Sequence, residues 1–271
     1  MIPICVYFDW DGPGGGPNKI GDKIIISEFP ENLHDIGYQF INKHNNPFLN
    51  YNPFVKEGTD VDLDINFSDI NIKFIINPSN INSRTELLFN YLNLNTEKIK
   101  ITKPRLYIHE NNKKENIITI HTKAKEGTSY ESEIPNNVID HILTKYSKHY
   151  TIVQIIPPNY KNNGLQVRPN RIQGMTHLDY DINIKGSWER VAEMLSKSIM
   201  FIGVDSNVSH LAQAYMPNVN LFIPSGFINY FGNKSQSFGQ GTIGNQWLHK
   251  NNYYFNEIER SYGFTNSYLT L

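Results

Sequence analysis

The sequence predicts an α/β protein built on parallel sheets. Segments typical of strands alternate with segments whose apolar residues recur at helical spacing, and this alternation is characteristic of parallel sheets. The clearest case is an apolar, β-prone run, Met200–Val204, which leads into a polar turn and then a helical pattern. The 271 residues, 39% of them hydrophobic, suffice for the core of one large domain or of two small ones.

The composition narrows the range of partners and sites. A net charge of −1 provides no global field for nucleic acid or acidic lipid, and the aromatic residues are not interleaved with basic ones, so we expect no nucleic-acid partner. The single cysteine, Cys5, excludes an intrachain disulfide framework and a zinc site made of several cysteines, and we expect it in the core. The first residues do not resemble a signal peptide, and no apolar run approaches the roughly 20 residues that span a bilayer. We therefore expect a cytoplasmic protein, with peripheral contact to the inner membrane face left open.

The first half begins with a predicted strand at residues 4–8 and a Gly- and Pro-rich loop at 11–17. The following elements are then predicted: a helix over 20–29, strands over 61–67 and 72–76, and a helix that opens with the capping-box spacing of residues 83–86. A polar stretch, 95–104, ends in proline and marks a candidate boundary between two halves.

The second half is predicted to contain strands over 117–120, 151–156, 180–184, 200–204 and 219–223. Residues 122–133 are predicted to be a polar loop. Helices are predicted from Pro135 to Tyr146, from a cap at Ser187 to about 199, from Ser206 to about 215, and over 251–260.

The polar turn after Met200–Val204 is the first candidate site. Ligands of open α/β sheets bind beyond the carboxyl ends of strands, where Asp205 follows. Ser206 or Asn207 can cap the helix, and any backbone N–H left free there can bind a phosphate. His210 lies close enough along the helix to face the same point. The alternative is that Asp205 and Ser206 are only helix caps and that His210 is only an interface residue.

Two further segments carry candidate chemistry. Thr122, Lys123 and Lys125 follow the strand at 117–120, so a parallel sheet brings them to the same edge as Asp205. Their hydroxyl and ammonium groups suit a diphosphate. The alternative is a solvated loop, which would have the same composition. Asp22, after the Gly-rich loop, is either a general base for an acceptor hydroxyl or an acid favoured by a helix dipole.

The sequence gives little support to a metal site. D-x-D patterns occur at 9–11, 60–64 and 179–181, and such pairs bind Mg²⁺ or Mn²⁺ in some transferases. Strand alternation makes acids two residues apart on a solvent face routine, so we expect no metal. Walker A, G-x-S-x-G and H-E-x-x-H motifs are absent from the sequence.

Taken in order, these segments resemble glycosyltransferase family 9, the ADP-heptose:lipopolysaccharide heptosyltransferases. The strongest match is FIGVDSNVSHLAQA at 201–214, which is similar to the family signature IGxDSGxxHLAxAL. KGSWERVA at 185–192 resembles the helix that precedes this signature in the family, and residues 117–123 resemble the family's I-H-x-(G/T) strand end. Ile134-Pro135 resembles the family's W-P helix start, and Ile20-Gly21-Asp22 resembles its amino-terminal I-G-D. The resemblance extends from about residue 100 to 225 and is patchy before that.

The resemblance implies a GT-B fold of two Rossmann-like domains: a reduced acceptor-side domain over 1–100 and a donor-binding domain over 101–271. It implies transfer of a sugar from a nucleotide-diphosphate-sugar donor to a glycan or glycolipid hydroxyl, with no obligatory metal and no cofactor. By matching positions, Asp22 would be the catalytic base. The donor and its phosphates would be held by Thr122, Lys123, Lys125, Gly203, Asp205, Ser206, Asn207 and His210, with Glu189 as a weaker candidate.

The chain departs from the family pattern at two points. Asn207 stands where the family has glycine, and the lysine that the family has just before W-P is missing from residues 131–133, so Lys123 or Lys125 would have to supply its charge. Two alternatives therefore stay open: a non-catalytic nucleotide-sugar binding module, and a nucleotide-sugar epimerase or hydrolase on the same fold. A metal-dependent transferase of the GT-A type is less favoured.

Overall fold

The computed structural model describes residues 1–8, 20–67, 69–70, 84–101, 103–110, 112–126, 130–134, 136–157, 161–162, 165–166, 170–181, 186–204, 206–216, 219–224 and 252–256. Within these ranges only the backbone is described at residues 20, 22, 124–126, 130–132, 161–162, 165–166, 221–224 and 252–256. Contacts divide the chain into two compact units, whose described residues fall in 1–107 and in 108–256.

The first unit is built on a parallel sheet with the strand order β3-β2-β1-β4. Its strands are β1 (Ile2–Tyr7), β2 (Tyr38–Ile41), β3 (Val55–Lys56) and β4 (Leu63–Asn66). The described helices of six or more residues in this unit are α1 (Ile20–Ile25), α2 (Phe29–His34) and α3 (Arg84–Tyr91). The fully buried side chains of this unit include Ile4, Phe29, Phe40, Phe67 and Leu88.

The second unit is built on a parallel sheet whose described strands follow the order β11-β8-β5-β12-β13-β14. They are β5 (Ile117–His121), β8 (Thr151–Ile156), β11 (Thr176–Asp179), β12 (Met200–Val204), β13 (Asn220–Pro224) and β14 (Asn252–Asn256). Two antiparallel pairs lie outside this sheet: β6 (Lys123–Glu126) with β7 (Tyr130–Glu133), and β9 (Lys161–Asn162) with β10 (Leu165–Gln166). The helices are α4 (Asn136–Tyr146), α5 (Ser187–Lys197) and α6 (Asn207–Tyr215).

Helical spacing of apolar residues explains how α4 packs in the second unit. Val138, Ile142 and Tyr146 recur at intervals of four, so they share one face, and all three are buried in one cluster with Ile118 and Ile152 of the sheet. The helix α5 begins after Gly186, whose φ of 83° is a left-handed conformation that glycine adopts without strain.

The predicted α/β class with parallel sheets is confirmed, and two predicted strands, 151–156 and 200–204, have the observed bounds. The predicted helix over 20–29 corresponds to α1, a 3-10 turn (Ile26–Glu28) and the start of α2. Pro30 is tolerated in the first turn of α2 because a backbone N–H at that position has no intrahelical acceptor. The predicted strand at 72–76 and the predicted first helical position at 135 lie outside the described residues. The domain boundary between residues 100 and 101 stays a prediction.

Three predicted elements are wrong. Residues 122–133 contain the β6/β7 pair instead of a loop, since cross-strand pairing of the opposite charges Lys123 and Glu133 favours a hairpin. Residues 252–256 form β14 instead of a helix, because their consecutive aromatic residues suit a strand that extends the sheet edge beside β13. Residues 180–181 of the strand predicted at 180–184 are not in a strand, because the strand that pairs with β8 is β11, which ends at Asp179. Residues 182–185 lie outside the description.

In the described part of the chain, no helix combines the length and the apolar character that a bilayer crossing requires.

Candidate functional site

Two neighbouring strands end side by side at the carboxyl edge of the second sheet. The strands β5 and β12 are parallel, and their register places His121 opposite Gly203. Thr122, directly after β5, and Ser206, two residues after the end of β12, therefore lie at the same edge of the sheet. Ligands of parallel α/β sheets bind at this edge, so it is the candidate site.

Ser206 begins the helix α6 with a reciprocal cap. Its extended backbone places Oγ where it accepts the Ser209 N–H at 3.3 Å, and Ser209 Oγ in turn accepts the Ser206 N–H at 3.0 Å. Of the two caps that the sequence allowed, Ser206 is the one used. The cap leaves the N–H groups of Asn207 and Val208 in the first turn without an intrahelical acceptor, and such groups, together with the helix dipole, favour an anion.

His121 connects the end of β5 to this cap. Its Nδ1 lies 3.0 Å from Ser206 Oγ, and its side chain is buried. Burial lowers the pKa of His121 from 6.5 to about 4, so the imidazole is neutral at pH 7. The neutral ring and the Ser206 hydroxyl share one hydrogen bond: the hydroxyl donates when the ring proton is on Nε2, and Nδ1–H donates when the proton is on Nδ1. Nε2 is buried and has no hydrogen-bond partner among the described residues.

His121 is absent from the predicted site residues. The signal that could have revealed it is a lone ionisable side chain at the end of an otherwise apolar and hydroxyl-bearing strand, directly before a polar segment. Its contact with Ser206 joins residues 85 positions apart, which strand periodicity does not reveal.

Gly203, predicted as a donor-binding residue, has a steric reason for its identity. A Cβ at this position would lie 2.5 Å from the ring of Phe201, on the same face of β12, and 3.3 Å from the carbonyl oxygen of His121. Only glycine lets the buried Phe201 ring lie over the strand next to the site.

Thr122 is buried at the same edge and is held on both sides. Its Oγ1 accepts the amide of Gln154 at 3.2 Å, and its carbonyl accepts the Ile134 N–H at 2.8 Å. Gln154 also accepts the Ile172 N–H at 3.0 Å, so this buried amide holds two segments in place beside β5. Thr122 therefore occupies a fixed position, in contrast to a residue of a solvated loop.

Lys123 begins the β6/β7 hairpin, and its Nζ lies 3.3 Å from Glu133 Oε2. The lysine side chain is only 15% exposed, whereas that of Glu133 is 55% exposed. The ammonium group is thus partly neutralised by a carboxylate that faces solvent.

Glu189 lies in the first turn of α5, a helix that packs against α6. Its Oε2 is buried and accepts no hydrogen bond from the described residues. A buried carboxylate oxygen without a donor is a candidate acceptor for a hydroxyl or amide of a ligand.

Three predicted site residues have no described side-chain geometry. Asp205 lies outside the described residues, and the structure describes only the backbone of Asp22, in α1, and of Lys125, in β6. Of the predicted D-x-D pairs, the one at 9–11 lies outside the description, and Asp179 forms an ion pair with Arg171.

Comparison with known proteins gives structural matches only. Neither a protein-family model nor a curated protein sequence matches the chain. Among solved structures, a family 9 glycosyl transferase from Veillonella parvula DSM 2008 is 12% identical with a TM-score of 0.56, over 96% of this chain and 87% of that one. The chain has the fold of the family 9 glycosyltransferases.

Two Escherichia coli heptosyltransferase structures agree with this fold. Heptosyltransferase WaaC with ADP is 10% identical with a TM-score of 0.52, over 95% of this chain and 94% of that one. ADP-heptose lps heptosyltransferase II is 9% identical with a TM-score of 0.50, over 94% and 90%. The resemblance to family 9 predicted from the motifs is confirmed for the fold.

The family 9 fold accommodates the first departure from the motif without disturbing the helix. Asn207, in place of glycine, is the first residue of α6, and its Oδ1 accepts the hydroxyl of the buried Tyr180 at 3.1 Å. Tyr180 thereby fixes the side chain beside the free N–H groups. His210 lies one turn later, partly exposed, with its own N–H donated to the Ser206 carbonyl.

The second departure from the family motif is the missing lysine, and the register of the β6/β7 hairpin shows which residues lie opposite its position. β6 and β7 pair Lys123 with Glu133 and position 125 with position 131. The two lysine positions therefore lie directly across from the segment in which the family has its lysine.

Proposed function

We propose that this protein is a glycosyltransferase that moves a sugar from a nucleotide-diphosphate-sugar donor to a hydroxyl of a glycan or glycolipid acceptor, without a metal ion. The observation that carries the proposal is the Ser206-capped N-terminus of α6 at the carboxyl edge of the sheet, within a family 9 fold. The presence of ADP in the WaaC structure supports a nucleoside diphosphate as the kind of ligand.

In this mechanism the donor diphosphate lies at the start of α6. The N–H groups of Asn207 and Val208 and the helix dipole offset the negative charge that develops on the departing diphosphate. They are already oriented by the Ser206 cap and by His121 behind it, so little reorganisation is needed as the charge develops. Lys123 adds a mobile positive charge when the diphosphate competes with Glu133 for it.

Three carboxylates have distinct roles in the proposal. Glu189 would accept a hydrogen bond from a hydroxyl group of the nucleotide-sugar, since its buried Oε2 accepts none from the described residues. Asp22 would deprotonate the acceptor hydroxyl, a role that rests on the I-G-D resemblance alone. Asp205, an anion, would orient the loop or sugar hydroxyls instead of touching phosphate.

The test combines binding and turnover. A thermal-shift screen against ADP-, UDP-, GDP- and CDP-sugars is expected to raise the melting temperature with one nucleotide class, because a ligand that binds the native state stabilises it. That donor is then assayed for transfer with and without EDTA, using wild type and Asp22→Ala. Turnover lost in Asp22→Ala with donor binding retained supports the base assignment; full turnover would refute it.

Lys123 offers a sharper test of the donor site. Lys123→Ala is expected to weaken nucleoside-diphosphate binding about tenfold, since hydrogen bonds to charged groups contribute more than 1 kcal/mol. Glu133→Gln is expected to strengthen it about two- to threefold, because an exposed ion pair competes only weakly. Lys148→Ala, an exposed lysine after α4, is the control. Equal effects of all three variants in calorimetric titrations with ADP would contradict this placement of the diphosphate.

The second candidate function is a non-catalytic nucleotide-sugar binding module. The pairing of Lys123 with Glu133 favours it, because the charge that would assist departure of the diphosphate is already partly neutralised. Tight donor binding with no turnover for any acceptor, and no free sugar released, would identify this module. Release of free sugar or a changed sugar configuration without acceptor would instead identify a hydrolase or an epimerase.

A further inference from the structure

Three side chains with metal-binding atoms converge in the first unit, and none of them is among the residues of the candidate donor site. Cys5 lies on β1, and the register of β1 with β4 places Asp64 directly opposite it. His44 follows the end of β2, the other neighbour of β1. The Cys5 Sγ, a ring nitrogen of His44 and a carboxylate oxygen of Asp64 all lie within 4.8 Å of one another.

The spacing of these atoms is close to that of a zinc site. Zinc binds sulfur at about 2.3 Å and nitrogen or oxygen at about 2.0–2.2 Å, so two ligands of a tetrahedral site lie roughly 3.3–3.7 Å apart. His44 Nε2 and Asp64 Oδ1 are 3.8 Å apart. His44 has a side chain that is 44% exposed, so it can rotate to close the remaining distance of about 1 Å.

The cluster borders a cavity that leaves room for a fourth ligand. Cys5 and His44 line a cavity of about 270 Å³ together with Lys23, Asn42 and other residues. Three protein ligands beside an open position are the arrangement of zinc sites that bind water or a small ligand. A set of one sulfur, one nitrogen and one oxygen favours zinc or a similar transition metal over magnesium, which prefers oxygen ligands alone.

Lys43 provides the competing interaction in the metal-free protein. Its ammonium group forms an ion pair with Oδ2 of Asp64, while Oδ1 is the oxygen nearer to His44. A bound Zn²⁺ would therefore share the carboxylate with Lys43, and it would replace the thiol proton of Cys5, which would pass to solvent as the sulfur–zinc bond forms.

We propose that Cys5, His44 and Asp64 form a binding site for Zn²⁺ or a similar divalent transition metal in the first unit, open to the adjoining cavity. The proposed glycosyl transfer needs no metal, so this metal-site proposal can be tested independently of the proposed function.

The experiment titrates the full chain with Co²⁺ and then displaces the Co²⁺ with Zn²⁺. Because Cys5 is the only cysteine in the sequence, a thiolate-to-cobalt charge-transfer band reports on this residue alone. We expect one equivalent of Co²⁺ to produce the band, Zn²⁺ to abolish it, and Cys5→Ser to lack it. His44→Ala is expected to weaken Zn²⁺ binding at least about tenfold, as even the loss of an indirect ligand contact does.

Two further variants keep the test decisive. Lys43→Met is expected to strengthen Zn²⁺ binding several-fold, because it removes the cation that competes for Asp64. His149→Ala, an exposed histidine of the second unit, is expected to leave binding unchanged. Should Cys5→Ser not fold, His44→Ala still decides the question, since the His44 side chain lies at the surface and is 44% exposed. The absence of the band in folded wild type, or unchanged Zn²⁺ affinity in His44→Ala, would overturn the proposal.

Discussion

Replacing Ser206 by alanine tests whether the cap organises the candidate site. The change removes the oxygen that accepts the Ser209 N–H and the partner of the buried His121 Nδ1. Loss of a serine cap costs about 1 kcal/mol. Leaving a buried polar nitrogen without a partner costs about 1–3 kcal/mol. We therefore expect a loss of about 2–4 kcal/mol in the free energy of unfolding, or roughly 4–16 °C in melting temperature for a chain of this size.

The assay is urea unfolding followed by intrinsic fluorescence, to which the buried Trp188 of α5 contributes. Ser147→Ala, an exposed serine after α4, is the matched control and is expected to change stability by less than about 0.5 kcal/mol. A double-mutant cycle with His121→Asn isolates the contribution of the His121–Ser206 contact, expected to be about 1 kcal/mol. An effect of Ser206→Ala no larger than that of Ser147→Ala, or a coupling of zero in the cycle, would refute the reasoning.

Three more predictions concern single residues. Gly203→Ala is expected to lower the free energy of unfolding by about 1–3 kcal/mol, because its methyl group would overlap the Phe201 ring, and Phe201→Leu in the same chain should restore part of the loss in denaturant unfolding. His121 has a pKa of about 4 when folded and 6.5 when unfolded, so the unfolded chain takes up the proton first as the pH falls. The free energy of unfolding should therefore fall by about 3 kcal/mol as the pH drops from 6.5 towards 4. Unfolding measured as a function of pH should show this slope in wild type and not in His121→Asn. Burial raises the pKa of Glu28 from 4.5 to about 8, against the opposing effect of Arg84, so the folded protein retains a proton that the unfolded chain loses. Stability should therefore fall as the pH rises from 4.5 to 8, and Glu28→Gln should be more stable than wild type at pH 8 but not at pH 4; the same difference at both pH values would contradict a neutral Glu28.

Strands that are buried on both faces were predictable because they need only a run of apolar residues. Residues 151–156 and 200–204 fit this description, and both are strands of the second sheet with the predicted bounds. The polar segment at 122–133 carries no such run. Its hairpin depends on pairing between Lys123 and Glu133, ten residues apart, so the sequence pattern indicated a loop.

The position of the candidate donor site was likewise encoded locally. An apolar strand, a serine and a helical pattern together require a capped helix start at the end of Met200–Val204, and α6 begins there. Which residue would cap, and what would stand behind the cap, depended on the neighbouring strand.

The sequence by itself therefore determined the α/β class, the strand–turn–helix at 200–215 and the resemblance to family 9, because these depend on local periodicity and on a contiguous motif. The tertiary structure alone decided which distant residues meet. The register of β5 with β12 brings His121 to Ser206, and the register of β1 with β4 brings Cys5 to Asp64. The physical reason is that a parallel sheet joins strands far apart in the chain, so its contacts are set by strand order and register, which local sequence patterns leave undetermined.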